Sequence, residues 1–101
     1  MATVTELPFE SLALAPVLDL KAAAPLKVAL LERRGHPLEL DAADVQRLGG
    51  LCLQLLLAAA ATWRADGFTM RVGPRSEAFV DALRLFGGES AFCFQPEGAP
   101  L

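Results

Sequence analysis

The sequence predicts an α/β fold, a small and mainly parallel sheet with its helices predominantly on one face. Strand-like and helix-like segments alternate along the chain, which is typical of parallel strands joined by right-handed crossovers. The two clearest strands alternate apolar and polar residues, whereas a sheet covered on both faces has strands that are apolar throughout. The 101 residues are 53% hydrophobic and 21% charged, which supplies one core and excludes a disordered chain.

The first half of the chain predicts a strand followed by a helix. Glu10 to Leu20 is an extended segment, and Pro16 confines any strand there to an edge or ends it early. Lys21 to Arg34 has helical periodicity, and the regular helix is expected to begin near Pro25 because proline is tolerated in the first turn. Gly35 is expected to end it in a left-handed conformation. Its apolar stripe consists of Leu26, Ala29 and Leu30.

The second half predicts two strands and two helices. Pro37 to Asp41 and Phe68 to Val72 alternate in hydropathy and are expected to be strands. The strongly apolar segment from about Leu48 to Ala65 is expected to be the central helix. A last helix is expected to be capped by Ser76 and to end at Phe86.

Composition limits the classes of function. Residues 1–101 are expected to form a single domain with a core of about residues 10–95 and a flexible C-terminal tail, residues 96–101. A net charge of −3 argues against nucleic acid as a partner. We expect no membrane insertion and a cytoplasmic protein, because no secretory signal is visible and the longest apolar run, Leu51 to Ala61, is too short to span a bilayer.

The passage from Leu40 to Leu51 is the most distinctive stretch. It leaves the middle strand and enters the central helix through Gly49 and Gly50, at the carboxyl edge of the sheet where ligands bind in open α/β folds. We interpret it as a turn with an interaction surface rather than a phosphate site, since no phosphate-loop motif is present. Asp41 and Asp44 are interpreted as solvated or capping carboxylates, and no metal or cofactor is expected.

Other residues that could take part in catalysis or binding are better explained by structural roles. His36 is expected in a surface turn, and Cys52 is expected in the core although a helix start can lower the pKa of a thiol. Trp63, Phe92 and Phe94 either close the core or form a partner-binding patch, and core is the more frequent role. No nucleophile, base and oxyanion site can be assembled, so we expect no enzyme and no catalytic residue.

The central segment resembles the STAS domains, the family of sulfate transporters and anti-sigma factor antagonists. Their strand ending in leucine and aspartate, followed by a turn with a valine and a helix start, is matched from Leu40 to Leu53. Leu18–Asp19 before an alanine-rich helix and the segment Phe79 to Gly87 also match, so the resemblance covers about residues 12–88. It implies a STAS-like fold, in agreement with the pattern of strands and helices.

The family's phosphorylation motif is missing from this chain. In anti-sigma antagonists, a kinase phosphorylates the second serine of Asp-Ser-Ser-Gly. When Val45 and Leu53 are aligned with the family, the motif falls on residues 49–52, and Leu51 replaces that serine. We therefore expect no phosphorylation at the family position, so that the negative charge that would disrupt an interface cannot be added there.

The resemblance implies a protein partner. Similar stand-alone domains occur in chemotaxis gene clusters, so the leading hypothesis is a non-catalytic module that regulates bacterial signal transduction by docking on a histidine kinase or a serine-kinase-type regulator. The alternative is an MlaB-like subunit of a lipid-transporting ABC complex. A weaker hypothesis is a small anion at the helix start, and dimerisation through the open sheet face, as a weak homodimer, stays open. The predicted partner-binding residues are Asp44, Gln46, Arg47, Gly49, Gly50, Leu51 and Gln54.

Overall fold

A computed structural model of the chain describes residues 9–88 and 91–94, which form strands and helices in the predicted alternation. The strands are β1 (Glu10–Ala13), β2 (Val17–Leu18), β3 (Leu38–Ala42), β4 (Arg47–Leu48), β5 (Met70–Arg75) and β6 (Cys93–Phe94). The helices are α1 (Ala23–Glu32), α2 (Gly50–Asp66) and α3 (Glu77–Leu85), with a short 3-10 helix at Leu20–Ala22.

The main sheet has the order β1-β3-β5-β6, and all of its strands are parallel. Because each crossover moves to the next strand in the same direction, right-handed connections put the helices on one face. Strand β3 shows the result directly: Leu38, Leu40 and Ala42 are fully buried, whereas Glu39 and Asp41 are half-buried on the opposite face. The predicted fold class is confirmed.

The second face of the sheet carries a charged pair. The Arg71 guanidinium donates to the Glu39 carboxylate at 2.7 and 2.8 Å, and it lies 3.8 Å from the centre of the Phe9 ring. The Glu39 side chain occupies the space where a Cβ on Gly73 would lie. These contacts explain why apolar and polar residues alternate along the strands, since the polar groups on this face are only partly buried.

The core lies between the sheet and the helices. Helix α2 contributes its largest share, and each fully buried leucine or aromatic side chain contributes about 1.5–3 kcal/mol relative to exposure. The buried residues of the helices are Leu26 and Leu30 from α1, Cys52, Leu53, Leu56, Ala59, Ala60 and Trp63 from α2, and Phe79 and Leu83 from α3.

The helix ends follow the sequence signals. The Asp19 carboxylate accepts a hydrogen bond from the Ala22 amide and so caps the 3-10 helix. Helix α1 begins at Ala23, which leaves Pro25 in its first turn as expected. At the end of α2, Gly67 has a φ of +84°, a left-handed conformation that glycine adopts without strain.

The boundaries of α2 and β5 differ from the sequence prediction. Helix α2 begins at Gly50 and not near Leu48, because Leu48 belongs to strand β4. Strand β5 runs to Arg75, further than the expected end at Val72, and its pairing with β3 shifts register after Leu40. The extra residues of β5 include Pro74, which lacks the N–H that a ladder needs, so the shift accommodates the proline.

Two short strands were not expected at all. Strand β6 pairs with β5 after the last helix, where the sequence analysis placed no strand. Strand β4 pairs with β2 in a separate two-stranded parallel sheet, within the stretch that was interpreted as a turn with an interaction surface. Two-residue strands carry too little alternation to be seen in a sequence. Leu12 and Leu14 are buried, whereas Pro16 is exposed.

Candidate functional site

The candidate site is built on the small β2–β4 sheet. Val17 pairs with Arg47, and Leu18 pairs with Leu48. The Pro16 carbonyl accepts hydrogen bonds from the amides of Gln46 at 2.7 Å and Arg47 at 3.1 Å. Leu18 and Leu48 are buried, so this sheet is anchored on the core. The segment that precedes α2 is therefore held by backbone pairing and is not a free loop.

The two glycines at the start of α2 have different roles. The Gly49 amide donates to the Leu18 carbonyl at 2.9 Å, and a Cβ on Gly49 would lie only 3.3 Å from that oxygen. A Cβ on Gly50 would meet no atom within 4 Å. No side chain caps this helix. Gly49 thus allows β2 to approach the helix closely. Gly50 leaves the first residue of α2 without a side chain on the protein surface.

The Cys52 thiol contacts the same junction from inside. Cys52 is fully buried, and its Sγ donates to the Asp19 carbonyl at 3.3 Å. Burial raises the pKa of the thiol, and the nearby Asp19 carboxylate raises it further. Both effects favour the protonated form, and the expectation that Cys52 belongs to the core is confirmed.

The predicted partner-binding residues occupy one continuous stretch around this junction. Six of the seven are exposed and Gly49 is half-buried. Leu51 leaves 44% of its surface in water at the first turn of the helix. Asp44 and Arg47 put opposite charges at the rim, so the stretch presents small apolar groups with a mixed polar border. The exposed residues are Asp44, Gln46, Arg47, Gly50, Leu51 and Gln54.

Sequence reasoning missed two exposed apolar residues beside this stretch. Val17 is 38% exposed on the strand that pairs with Arg47. Leu20 is 76% exposed and follows Asp19, whose carbonyl holds the Cys52 thiol. No local pattern marks either residue, because their neighbours in space are about 30 residues further along the chain. We call the seven predicted residues together with Val17 and Leu20 the α2-start surface.

The carboxylates near the site do not cap α2. Asp41 accepts a hydrogen bond from the Ala43 amide at 3.1 Å, so it stabilises the turn after β3. Asp44 is exposed, and the cap position of α2 is Gly49. Of the two interpretations of these carboxylates, solvated or capping, neither residue caps α2, and Asp44 is solvated. Within residues 9–88 and 91–94, no three His, Cys, Asp or Glu side chains cluster as metal ligands would.

The remaining candidate residues have structural roles. His36 is exposed, and its carbonyl accepts a hydrogen bond from the Trp63 indole at 2.7 Å. Trp63 and Phe92 are buried, which confirms their placement in the core, and the Phe94 side chain lies outside the described residues. In the part of the chain that the structure describes, no helix is long and apolar enough to cross a bilayer.

Comparison with known proteins gives one match. The family model described as "Mlab, STAS domain" matches residues 5–90, which is most of the chain. Comparisons with curated proteins and with solved structures return no match. The matched range contains strands β1 to β5, all three helices and the whole α2-start surface.

Proposed function

The chain belongs to the STAS domain family, in its MlaB-like branch, and from this premise we propose that it is a non-catalytic module that docks on a signalling kinase through the α2-start surface. STAS domains are in general protein-interaction modules without catalytic activity. The kinase we propose is the chemotaxis histidine kinase, as the resemblance to stand-alone domains of chemotaxis gene clusters implies.

The exposure of Leu51 is the observation that carries the proposal. A leucine that is 44% exposed at the first turn of a helix offers apolar surface that a partner can cover. Val17 and Leu20 extend this apolar centre, while Asp44 and Arg47 supply a polar rim. An apolar centre with a polar rim is the usual anatomy of a protein interface.

The chemistry of residues 49–52 supports binding that phosphorylation at this point does not control. The stretch Gly-Gly-Leu-Cys contains no hydroxyl group, and the Cys52 thiol is buried against Asp19. A phosphate would add about two negative charges and disrupt a desolvated interface, and here nothing can accept it. On this proposal the partner or its abundance controls the complex.

A second candidate function is supported by the description of the matching family. It would make the chain an MlaB-like subunit of a lipid-transporting ABC complex. Such a subunit would bind the nucleotide-binding ATPase through the same α2-start surface. The two functions therefore share the surface and differ in the partner.

Calorimetry with purified partners tests the proposal. We would titrate the chain, Leu51→Asp and the matched control Leu85→Asp against the chemotaxis kinase and against the transporter ATPase of the source organism. Leu85 is 79% exposed at the end of α3, so both variants put an aspartate in place of an exposed leucine. Circular dichroism would check that each variant is folded.

We expect Leu51→Asp to weaken kinase binding roughly 30-fold or more, as loss of a central interface residue does, and Leu85→Asp to have no effect. Binding to the ATPase instead of the kinase would establish the second function. Equal affinities of the wild type and Leu51→Asp would show that the surface is wrongly placed. Binding to neither protein would overturn both functions.

A further inference from the structure

Helices α1 and α2 leave an open apolar groove between them, away from the α2-start surface. The groove has a volume of about 180 Å³. Leu31 from α1 and Leu55 and Ala58 from α2 line its walls, and the Trp63 ring lies in its lining. Cavities of about 150 Å³ take a benzene-sized group, so the groove has room for one or two large apolar side chains.

Several apolar residues that line this groove are exposed to solvent. Leu31 is 56% exposed, Ala58 is exposed and Leu55 is half-buried. From Leu55 to Trp63 the lining follows α2 for about two turns, or roughly 12 Å at 1.5 Å per residue. A groove of this length between two helices matches the way an amphipathic helix docks, with apolar residues spaced at one face.

The charged residues that line the groove have a single sign. Lys27 and Arg34 lie among its lining residues, and the lining contains no carboxylate. Asp66 holds the Arg34 guanidinium through contacts of 2.8 and 3.2 Å and neutralises part of its charge. Lys27 takes part in none of the ion pairs found within the described residues, so it carries the larger uncompensated charge.

We propose that this groove docks an amphipathic helix with acidic side chains from a partner protein. The apolar face of that helix would cover Leu31, Leu55 and Ala58, and its carboxylates would meet Lys27 and Arg34. A second copy of this chain is a poorer occupant, because a two-fold interface would bring the two cations of one groove toward those of the other. The groove is a second surface, so the proposal does not depend on the kinase or the transporter.

Two synthetic peptides and the intrinsic fluorescence of the full chain test the proposal. One 15-residue peptide carries leucine at positions i, i+3, i+4 and i+7 with glutamate elsewhere, and the other replaces every glutamate by lysine. Trp63 is the single tryptophan of the sequence and lies in the groove lining, so its emission reports on this site. We expect saturable binding of the glutamate peptide, at least tenfold tighter than the lysine peptide and weaker in high salt.

Ala58→Glu and Ala61→Glu are a matched pair of variants. Both alanines are exposed on α2, and Ala58 alone of the two lines the groove. We expect Ala58→Glu to weaken binding of the glutamate peptide at least tenfold and Ala61→Glu to change it less than twofold. Lys27→Glu and Lys21→Glu make the same comparison for charge, with an expected loss of roughly fivefold for Lys27→Glu alone.

Four outcomes would overturn the proposal. They are equal affinity for the two peptides, no change in Trp63 emission with 1 mM glutamate peptide, equal losses in either pair of variants, or a dimer in sedimentation that Ala58→Glu dissociates. The last outcome would assign the groove to a second copy of the chain. Loss of kinase or ATPase binding in Leu51→Asp has no bearing on these results, since Leu51 is not part of the groove lining.

Discussion

Helix α2 begins directly after β4 and helix α3 begins beside the β3–β4 connection, and the two starts are held by different means. At α3, the Ser76 hydroxyl accepts from the Phe79 amide at 3.1 Å and donates to the Val45 carbonyl at 2.6 Å. At α2, no side chain caps the helix, and the Gly49 amide donates to the Leu18 carbonyl. A side chain therefore holds the start of α3, whereas the backbone of a strand that is distant in sequence holds the start of α2.

The difference has a functional meaning. A capping side chain occupies the space in front of a helix, as Ser76 does. At the start of α2, two glycines have no side chain that protrudes and an exposed leucine adds apolar surface. This combination suits a surface that another protein covers. The start of α2 is held instead by the β2–β4 pairing and by the hydrogen bond from the Gly49 amide to the Leu18 carbonyl. The following predictions test this contrast, beginning with the largest change in stability.

Ser76→Ala should destabilise the fold by about 2 kcal/mol, because it removes the cap and leaves the Val45 carbonyl without its donor. Urea unfolding of the wild type and the variant measures the loss. Ser76→Asp keeps the acceptor for the Phe79 amide but cannot donate to Val45, so it should lose less than the alanine variant. A change below about 0.5 kcal/mol in Ser76→Ala would mean that α3 is held by packing alone.

Alanine at the two glycines of α2 should have opposite effects. Gly49→Ala should cost about 1 kcal/mol, because its Cβ would crowd the Leu18 carbonyl at 3.3 Å. Gly50→Ala should stabilise by about 0.5 kcal/mol, because the site is open and alanine restricts the unfolded chain. Thermal unfolding of both variants measures the difference. Equal effects would show that the approach of β2 does not constrain the helix start.

The smallest expected effect on stability concerns the C-terminal end of α2, where an ion pair between side chains contributes. Hydrogen bonds from Arg34 lower the pKa of the Asp66 carboxyl below its ordinary value of 3.8. A lowered pKa in the folded state stabilises the fold above pH 3.8, and this contribution is lost as the pH falls through the folded value. In Arg34→Gln, carbon NMR of the carboxyl group should show the Asp66 pKa rising toward 3.8.

Stability measurements at several pH values complete this test. The wild type and Arg34→Gln should differ near neutral pH and converge in acid, where Asp66 is protonated in both proteins. The difference should be small because the pair is exposed. An unchanged Asp66 pKa in the variant would show that the ion pair does not form in solution.

Much of the fold could be predicted from local patterns. The apolar stripe with Leu26 and Leu30, the alternation in β3 and the Ser76 cap each depend on a few neighbouring residues, and the structure confirms all three. Strands β4 and β6 were missed because two residues cannot show a period. Within the candidate site, the stretch from Asp44 to Gln54 was predicted as a binding surface, and its binding role stays a prediction.

Contacts between elements that are distant in the sequence decided the features that local patterns could not predict. The sequence by itself determined which three segments are helical, which stripe of α1 is buried and that no hydroxyl stands at residues 49–52. Only the structure showed that Gly49 faces the Leu18 carbonyl while Gly50 faces open space, and that Val17 and Leu20 lie beside the start of α2. Side-chain periodicity encodes burial within one element, but a backbone hydrogen bond between residues about 30 apart depends on how the elements pack.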